Sequence, residues 1–233
     1  AFVLWTSGTT GRPKPILHSH RAYVELIDRV LEPLRGNRDA HHDSRAVTPN
    51  LIPVSLALNA GIYNVLFGLR AGSAIVVMDR FTPTEFATLV ARHRIRSTVL
   101  PPAAITMLNG DETVTDLAPL RYVRSITAPL SPLQARRFTE RFGVVVLNGY
   151  GQAEIGEVIG WTASDAREHP EKIGAVGRAH RGVGVEIRDS DAAGIGRLFV
   201  RSPATATGYA TGETLHERLD ADGYIDTGDL ARI

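Results

Sequence analysis

Along the first 150 residues, short apolar runs alternate with longer stretches in which apolar residues recur every three or four positions. The runs "AIVVM" (74–78), "STVL" (97–100), "YVRSIT" (122–127) and "VVVLN" (144–148) are compact and β-branched, the pattern of strands buried on both faces. Phe2–Trp5 reads as a further strand. Between the runs, residues 84–94 and 132–142 carry helical spacing. Phe86, Leu89 and Val90 line one face of the first, and Arg92 and Arg94 lie off it. Thr82 and Ser131 each stand before a proline, the cap-then-proline opening of a helix. Strand–helix alternation of this kind predicts a parallel sheet with crossover helices.

After about residue 170 the texture changes. Glycines punctuate short alternating runs such as "VGVEIRD" and "GRLFVRS", and helical spacing disappears. This predicts a small antiparallel β subdomain. The fold class expected is therefore α/β: a parallel-sheet core with crossover helices over residues 1–170, followed by a β-rich subdomain over 171–233. The stretch "WTASDAREHPEK" (161–172) reads as a polar connector.

Charge removes several classes of function. With 26 Lys and Arg against 25 Asp and Glu, and no block of one sign, the chain offers no nucleic-acid groove and no face for an anionic membrane. Aromatics at 6% are too few for a single-strand stacking platform. With 0 Cys, disulfides, thiolate metal sites and a cysteine nucleophile are excluded, which fits a cytoplasmic protein. No apolar run reaches the length of a membrane span. The chain starts within a strand-like run and stops at "GDLARI", another one, so a segment of a longer polypeptide is expected.

Three stretches carry chemistry. "TSGTTGRPKP" gathers the hydroxyls of Thr6, Ser7, Thr9 and Thr10, the tight turns allowed by Gly8 and Gly11, and the cation of Lys14. Phosphate oxygens require such converging donors, close backbone approach and a compensating charge. It is not a Walker loop, because the glycines are too close and Pro15 follows the lysine. "NGYGQAE" (148–154) follows a predicted strand, where ligands collect at the carboxyl ends of parallel sheets. Within it, Tyr150 can stack on a flat base and Glu154 can bind Mg²⁺. "GYIDTGDL" (223–230) sets Asp226 and Asp229 around a glycine turn, and a carboxylate there can accept both hydroxyls of a ribose.

In this order, "TSGTTGRPK", "GYGQAE", "GRLFVRSP…GY" and "YIDTGD" resemble the core motifs of the adenylate-forming superfamily, which includes acyl- and aryl-CoA synthetases, peptide-synthetase adenylation domains and beetle luciferases. The resemblance spans essentially the whole chain and implies a fragment of a larger adenylate-forming domain. It implies that Thr6 to Gly11 and Lys14 close over the ATP phosphates. Tyr150 would pack on adenine, with Asn148 and Gly149 at its edge and Gly151, Gln152 and Ala153 in the same motif. Thr127, Ala128 and Pro129 would flank the other face. Glu154 would hold Mg²⁺ and Asp229 the ribose, with Lys14 and Glu154 as the catalytic pair. The implied reaction joins a small-molecule carboxylic acid to coenzyme A through an acyl-adenylate made from ATP. The resemblance also implies an N-terminal portion and a C-terminal domain with a catalytic lysine, so this fragment alone is expected to be inactive. A peptide-synthetase-type adenylation domain and a non-catalytic nucleotide-binding fragment stand as alternatives.

Several positions depart from the family's pattern. Ala153 replaces the usual Thr before the metal-binding Glu, Pro15 replaces the Gly after the loop lysine, and Ile126 and Thr127 stand where small residues are usual. Together with Leu58 and Ile62, these last two are expected to shape the acyl pocket. The departures admit a further reading, a protein that binds acyl-adenylate and acts mainly in the thioester-forming half. "HSH" (18–20) and "HH" (41–42) lack a third ligand at zinc-like spacing. Trp5 and Trp161 read as core or pocket-wall residues.

Overall fold

The structure is a computed structural model that describes residues 2–5, 13–36 and 48–233. In chain order the elements are β1 (Phe2–Trp5), β2 (Pro15–His18), α1 (His20–Gly36), β3 (Asn50–Ile52), α2 (Asn59–Arg70), β4 (Ile75–Val77), α3 (Pro83–His93), β5 (Ser97–Val99), α4 (Pro102–Gly110), β6 (Tyr122–Ser125) and α5 (Pro132–Phe142). They continue with β7 (Val145–Gln152), β8 (Gly156–Gly160), α6 (Ala163–Glu168), β9 (Arg178–Ala179), β10 (Gly184–Arg188), β11 (Gly196–Arg201), β12 (Gly208–Tyr209) and β13 (Ile225–Ala231). The fold is mixed α/β, with one parallel-strand sheet and two antiparallel ones.

The chain divides into two compact units, one of Leu31–Tyr150 and Ile159–Arg178, the other of Ala1–Val30, Gly151–Val158 and Ala179–Ile233. In the first, the parallel strands run in the order β4–β3–β5–β6–β7. The four expected runs form β4 at the edge of the sheet and β5, β6 and β7 within it, each shorter or longer than its apolar run. The last differs most: β7 passes through "NGYGQ" to Gln152 and turns back into β8.

Helix α3 forms as its sequence dictates. Thr82 Oγ1 accepts the Glu85 N–H at 3.3 Å, Phe86 and Val90 are fully buried, and Arg94 closes the helix in left-handed conformation. Ser131 stands at the N-cap of α5, but its side chain makes no cap bond; the proline alone marks that start. The core joins Phe86, Val90, Ile95, Leu100, Ile105, Leu108 and Phe138, all at 0% exposure. Arg141 pins the segment after α4, donating to the carbonyls of Leu108, Asn109, Asp111 and Val114. The expected connector 161–172 is partly helical, since Thr162 Oγ1 accepts the Asp165 N–H at 3.1 Å and caps α6.

In the second unit, β1, β2 and β12 form an antiparallel sheet, and β10, β11 and β13 another. The opening run therefore belongs to an antiparallel sheet with one covered face. Leu4 is buried, while Val3 and Trp5 are 44% and 67% exposed, so Trp5 is not a core residue. Inward positions on β2 are Ile16 and His18. No helix among the described residues is long and apolar enough to cross a membrane.

Candidate functional site

The first unit brings two of the expected segments together. Ser125 and Asn148 are partners across the parallel β6–β7 ladder, so residues 126–130 leave the sheet at the end of β6 beside residues 148–150, which continue strand β7. Asn148 is 7% exposed and donates through Nδ2 to the Ala175 carbonyl at 3.3 Å. Trp161 Nε1 donates to the same carbonyl at 2.8 Å, and its backbone N–H bonds the Asn148 carbonyl. Trp161 is thus a buried scaffold residue, as expected, and Asn148 is held in place by it. Gly149 and Tyr150 follow, both half-buried.

Thr127, Ala128 and Pro129 are exposed beyond β6, and Thr127 has φ +82°. A β-branched side chain there clashes with its own backbone, at a cost of about 1–3 kcal/mol. Glycine removes that strain but gains about 0.5–1 kcal/mol of unfolded-chain entropy. Thr127→Gly is therefore expected to stabilise the full-length protein by about 1 kcal/mol, read as a higher urea midpoint at unchanged slope. A lower midpoint would place a side-chain contact of Thr127 above the strain.

Of the expected pocket residues, Ile126 packs against Ile52, Val54 and Val99, in the apolar cluster that also receives Ala60 and Val65 from α2. Ile62 lies half-buried on α2, and Leu58, just before the helix, is 59% exposed. The first turn of α2 lies directly on the backbone before it, because a Cβ on Gly61 would stand 2.2 Å from the Ser55 carbonyl oxygen.

The second unit holds the other motif residues. Ala153, Glu154 and Ile155 form the turn between β7 and β8. Its tightness needs glycine at 151, where a Cβ would lie 2.2 Å from the Gly156 carbonyl oxygen. Three consecutive carbonyls of the turn are bonded. His18 Nε2 meets Ala153 O at 2.8 Å, the Ala206 N–H meets Glu154 O at 2.7 Å, and Ser202 Oγ meets Ile155 O at 2.9 Å. Ile155, at 0% exposure, seals the underside. The turn is thereby fixed from below while the half-buried Glu154 side chain projects.

Since a carbonyl only accepts, the His18 proton sits on Nε2. Burial holds the His18 pKa below its ordinary value of 6.5, against smaller upward pulls from the Ala153 carbonyl and the Glu154 charge. Its folded form thus binds protons less readily than the unfolded chain. This contribution to stability is complete above about pH 6.5 and is lost as pH falls through that value toward the lower folded pKa. His18→Gln, which keeps a donor but does not titrate, is expected to flatten the acid limb of a stability–pH profile. An unchanged limb would exclude His18 as its source.

Lys14 precedes β2. Its ammonium lies 5.0 Å from the centre of the Tyr209 ring and 3.7 Å from Glu213 Oε2. Both partners of that ion pair are more than half exposed, so water screens it to roughly 0–1 kcal/mol. A polyphosphate would compete readily for such a cation. Tyr209 in turn donates to Glu154 Oε1 at 3.4 Å and accepts from Arg218 Nη1 at 3.0 Å. The two expected catalytic residues are thus joined through one tyrosine.

Asp226 and Asp229 are distinguished by their partners. Asp226 forms an ion pair with Arg197 and accepts the Gly228 N–H at 2.9 Å. Between Arg197 and Phe199 the β11–β13 register jumps from Leu230 to Asp226, so residues 227–229 bulge from the ladder. Bulges of this kind re-aim side chains, and here the exposed Asp229 is presented. Gln152 Nε2 donates to Asp229 Oδ2 at 3.1 Å and to the Thr227 carbonyl at 2.8 Å. Two motifs 77 residues apart are in direct contact.

Thr6, Ser7, Gly8, Thr9, Thr10 and Gly11 lie outside the described residues, as do His41 and His42. Among the described residues no three His, Asp or Glu form a metal cage. Glu154 instead fits the other kind of Mg²⁺ site, one carboxylate completed by substrate phosphates and water. Sequence reasoning gave no role to His18, Tyr209, Glu213 or Arg218. His18 carried a readable signal: it is a polar residue in register with buried Ile16 on an alternating strand.

The family model for AMP-binding enzymes matches residues 1–210. 4-Coumarate–CoA ligase 5 of Oryza sativa subsp. japonica is 31% identical over 239 residues, covering 97% of this chain and 43% of the relative. The crystal structure of an ATP-bound RpMatB–BxBclM chimera superposes with a TM-score of 0.84 at 25% identity, over 99% of this chain and 45% of that one. O-succinylbenzoate-CoA synthetase of Bacillus subtilis, solved with ATP and magnesium ion, gives 0.81 at 20% identity over 99% and 47%. That last likeness is one of fold. The chain spans less than half the length of each of these proteins.

Proposed function

The chain belongs to the AMP-binding enzyme family, and from that premise we propose that the protein is an acyl-CoA ligase. A carboxylate oxygen attacks the α-phosphorus of ATP, the bond to the β-phosphate oxygen breaks, and pyrophosphate leaves. The thiolate of coenzyme A then attacks the acyl carbon of the adenylate, and AMP leaves.

In this reading each residue has a defined task. Lys14 exchanges its loose contact with Glu213 for the β- and γ-phosphates, and Thr6 to Gly11 supply further donors. Asp229, oriented by Gln152, accepts the ribose hydroxyls. Tyr150 packs on the adenine, with Asn148 and Gly149 at its edge and Thr127, Ala128 and Pro129 opposite. Gly151 permits the turn that carries Ala153 and Glu154. Glu154, together with nucleotide oxygens, would hold Mg²⁺, which when bound would supply charge neutralisation at the phosphates. Preorganised positive charge at those oxygens lowers the barrier to in-line displacement. Ile126, with Ile62, Leu58 and Thr127, bounds the acid pocket.

The observation that carries this reading is the Gln152–Asp229 hydrogen bond. It joins the second and last motifs in the unit that also contains Lys14 and Glu154. Ala153 favours a second reading, in which a weakened adenylation half leaves thioester formation from ready-made acyl-adenylate as the main activity. One experiment separates the two. The full-length protein is assayed with a panel of carboxylic acids, including the 4-coumarate for which its relatives are named. Acid-dependent pyrophosphate release supports the ligase; thioester formation from supplied acyl-adenylate without such release supports the second reading. Absence of both activities refutes each.

A further inference from the structure

We propose that Tyr209 is a positioning residue of the adenylation site: its hydroxyl fixes one carboxylate oxygen of Glu154 while its ring supports the Lys14 ammonium. The inference rests on the ligase reading and deepens it.

Tyr209 is 3% exposed. A phenol has one proton to donate and lone pairs to accept. The Arg218 guanidinium can only donate, and it does so to the phenol oxygen at 3.0 Å. The phenol proton is therefore turned toward Glu154 Oε1, 3.4 Å away. That contact occupies one direction of a carboxylate that can accept from several, and Oε2 remains outside it. The ring face simultaneously meets Lys14 Nζ at 5.0 Å from the centroid, within cation–π range. One side chain thus touches both the acid and the base that would face the phosphates.

The backbone around Tyr209 suits a fixed role. Gly208 and Tyr209 pair with Leu17 and Ile16 of β2. The Tyr209 N–H bonds the Glu213 carbonyl at 2.8 Å, and the Gly212 N–H bonds the Tyr209 carbonyl at 3.1 Å. A Cβ on Gly208 would lie 2.6 Å from the Glu213 carbonyl oxygen, so the 210–213 turn folds tightly back and brings Glu213 to Lys14. The hydroxyl that meets the Glu154 carboxylate comes from this opposite segment.

The test uses the full-length protein without acid substrate, so that no turnover occurs. ATP binding is measured calorimetrically with and without Mg²⁺, and AMP binding without metal. In the wild type Mg²⁺ is expected to tighten ATP binding. Tyr209→Phe is expected to reduce that Mg²⁺-dependent gain about three- to tenfold, the worth of one hydrogen bond, while AMP affinity stays within about twofold. Arg218→Met keeps the phenol but removes the donor that directs its proton, and is expected to reduce the gain by a smaller factor. Full retention of the gain in Tyr209→Phe, or an equal loss of AMP affinity, overturns the proposal. Should Tyr209→Phe fail to fold, an unchanged gain in Arg218→Met overturns it instead. A wild-type protein whose ATP affinity ignores Mg²⁺ refutes the ligase reading and this inference with it. An Mg²⁺-responsive wild type with an unaffected Tyr209→Phe refutes this inference alone.

Discussion

Lys14→Ala in the full-length protein is expected to slow pyrophosphate release on the order of a hundredfold while AMP affinity changes by less than about threefold. The asymmetry follows from where the charge acts. AMP lacks the β- and γ-phosphates, so removing a cation that faces only those groups leaves its binding intact. The ion pair of Lys14 with Glu213 is exposed and screened by water, so that contact is weak enough to be exchanged for a polyphosphate. Lys14→Arg keeps the charge but replaces a compact ammonium by a broad fork, and is expected to recover part of the rate. Parallel titrations of AMP binding and pyrophosphate release check the split. Equal losses in both would move Lys14 away from the terminal phosphates.

Asp229→Ala should act in the opposite pattern, weakening AMP and ATP alike by on the order of a hundredfold, since both carry the ribose. A carboxylate accepting two hydroxyl protons contributes about 1.5–3 kcal/mol through each charge-assisted bond, part of which water restores in the variant. Gln152→Ala provides the graded companion. It leaves the carboxylate but removes the amide that orients it, so a loss of several-fold is expected. Competition of unlabelled AMP and ATP against a fluorescent adenosine nucleotide measures both variants. An unchanged AMP affinity in Asp229→Ala would remove the ribose assignment. The neighbouring Asp226 is the wrong comparison for binding, because its ion pair with Arg197 makes it part of the β-sheet scaffold.

Part of this architecture was legible in the amino-acid order. The runs that form β5 and β6 are compact and rich in β-branched residues, and α3 carries cap, proline and apolar face in their expected places. What escaped has physical causes. The strand β7 continues through Gly149 and Gly151, residues without a side chain to show alternation, so the return into β8 was hidden. The opening "FVLW" is apolar at every position, and such a run does not reveal whether one or both faces are covered. The same limit applies to the site. The motifs were readable, and so was their order. The Gln152–Asp229 bond is a product of chain folding over 77 residues, and no local pattern encodes it. In the sequence His18 reads only as half of a histidine pair without a third ligand. Its actual work, holding the Ala153 carbonyl from beneath, is visible only once the turn above it is placed.

The pairing of β2 with β12 has a consequence for biosynthesis. Thr207 reaches back to Leu17 across 190 residues of chain. At ribosomal speeds of about 5–20 residues per second, the early strand waits roughly 10–40 s for its partner to be made. During that interval β1 and β2 present an unzipped edge with Trp5 beside it, whereas the Leu31–Tyr150 stretch already contains its own parallel ladder and apolar centre. Ribosome-stalled nascent chains should therefore gain protease resistance in that middle stretch first. The N-terminal hairpin should become protected only after residue 209 has cleared the exit tunnel.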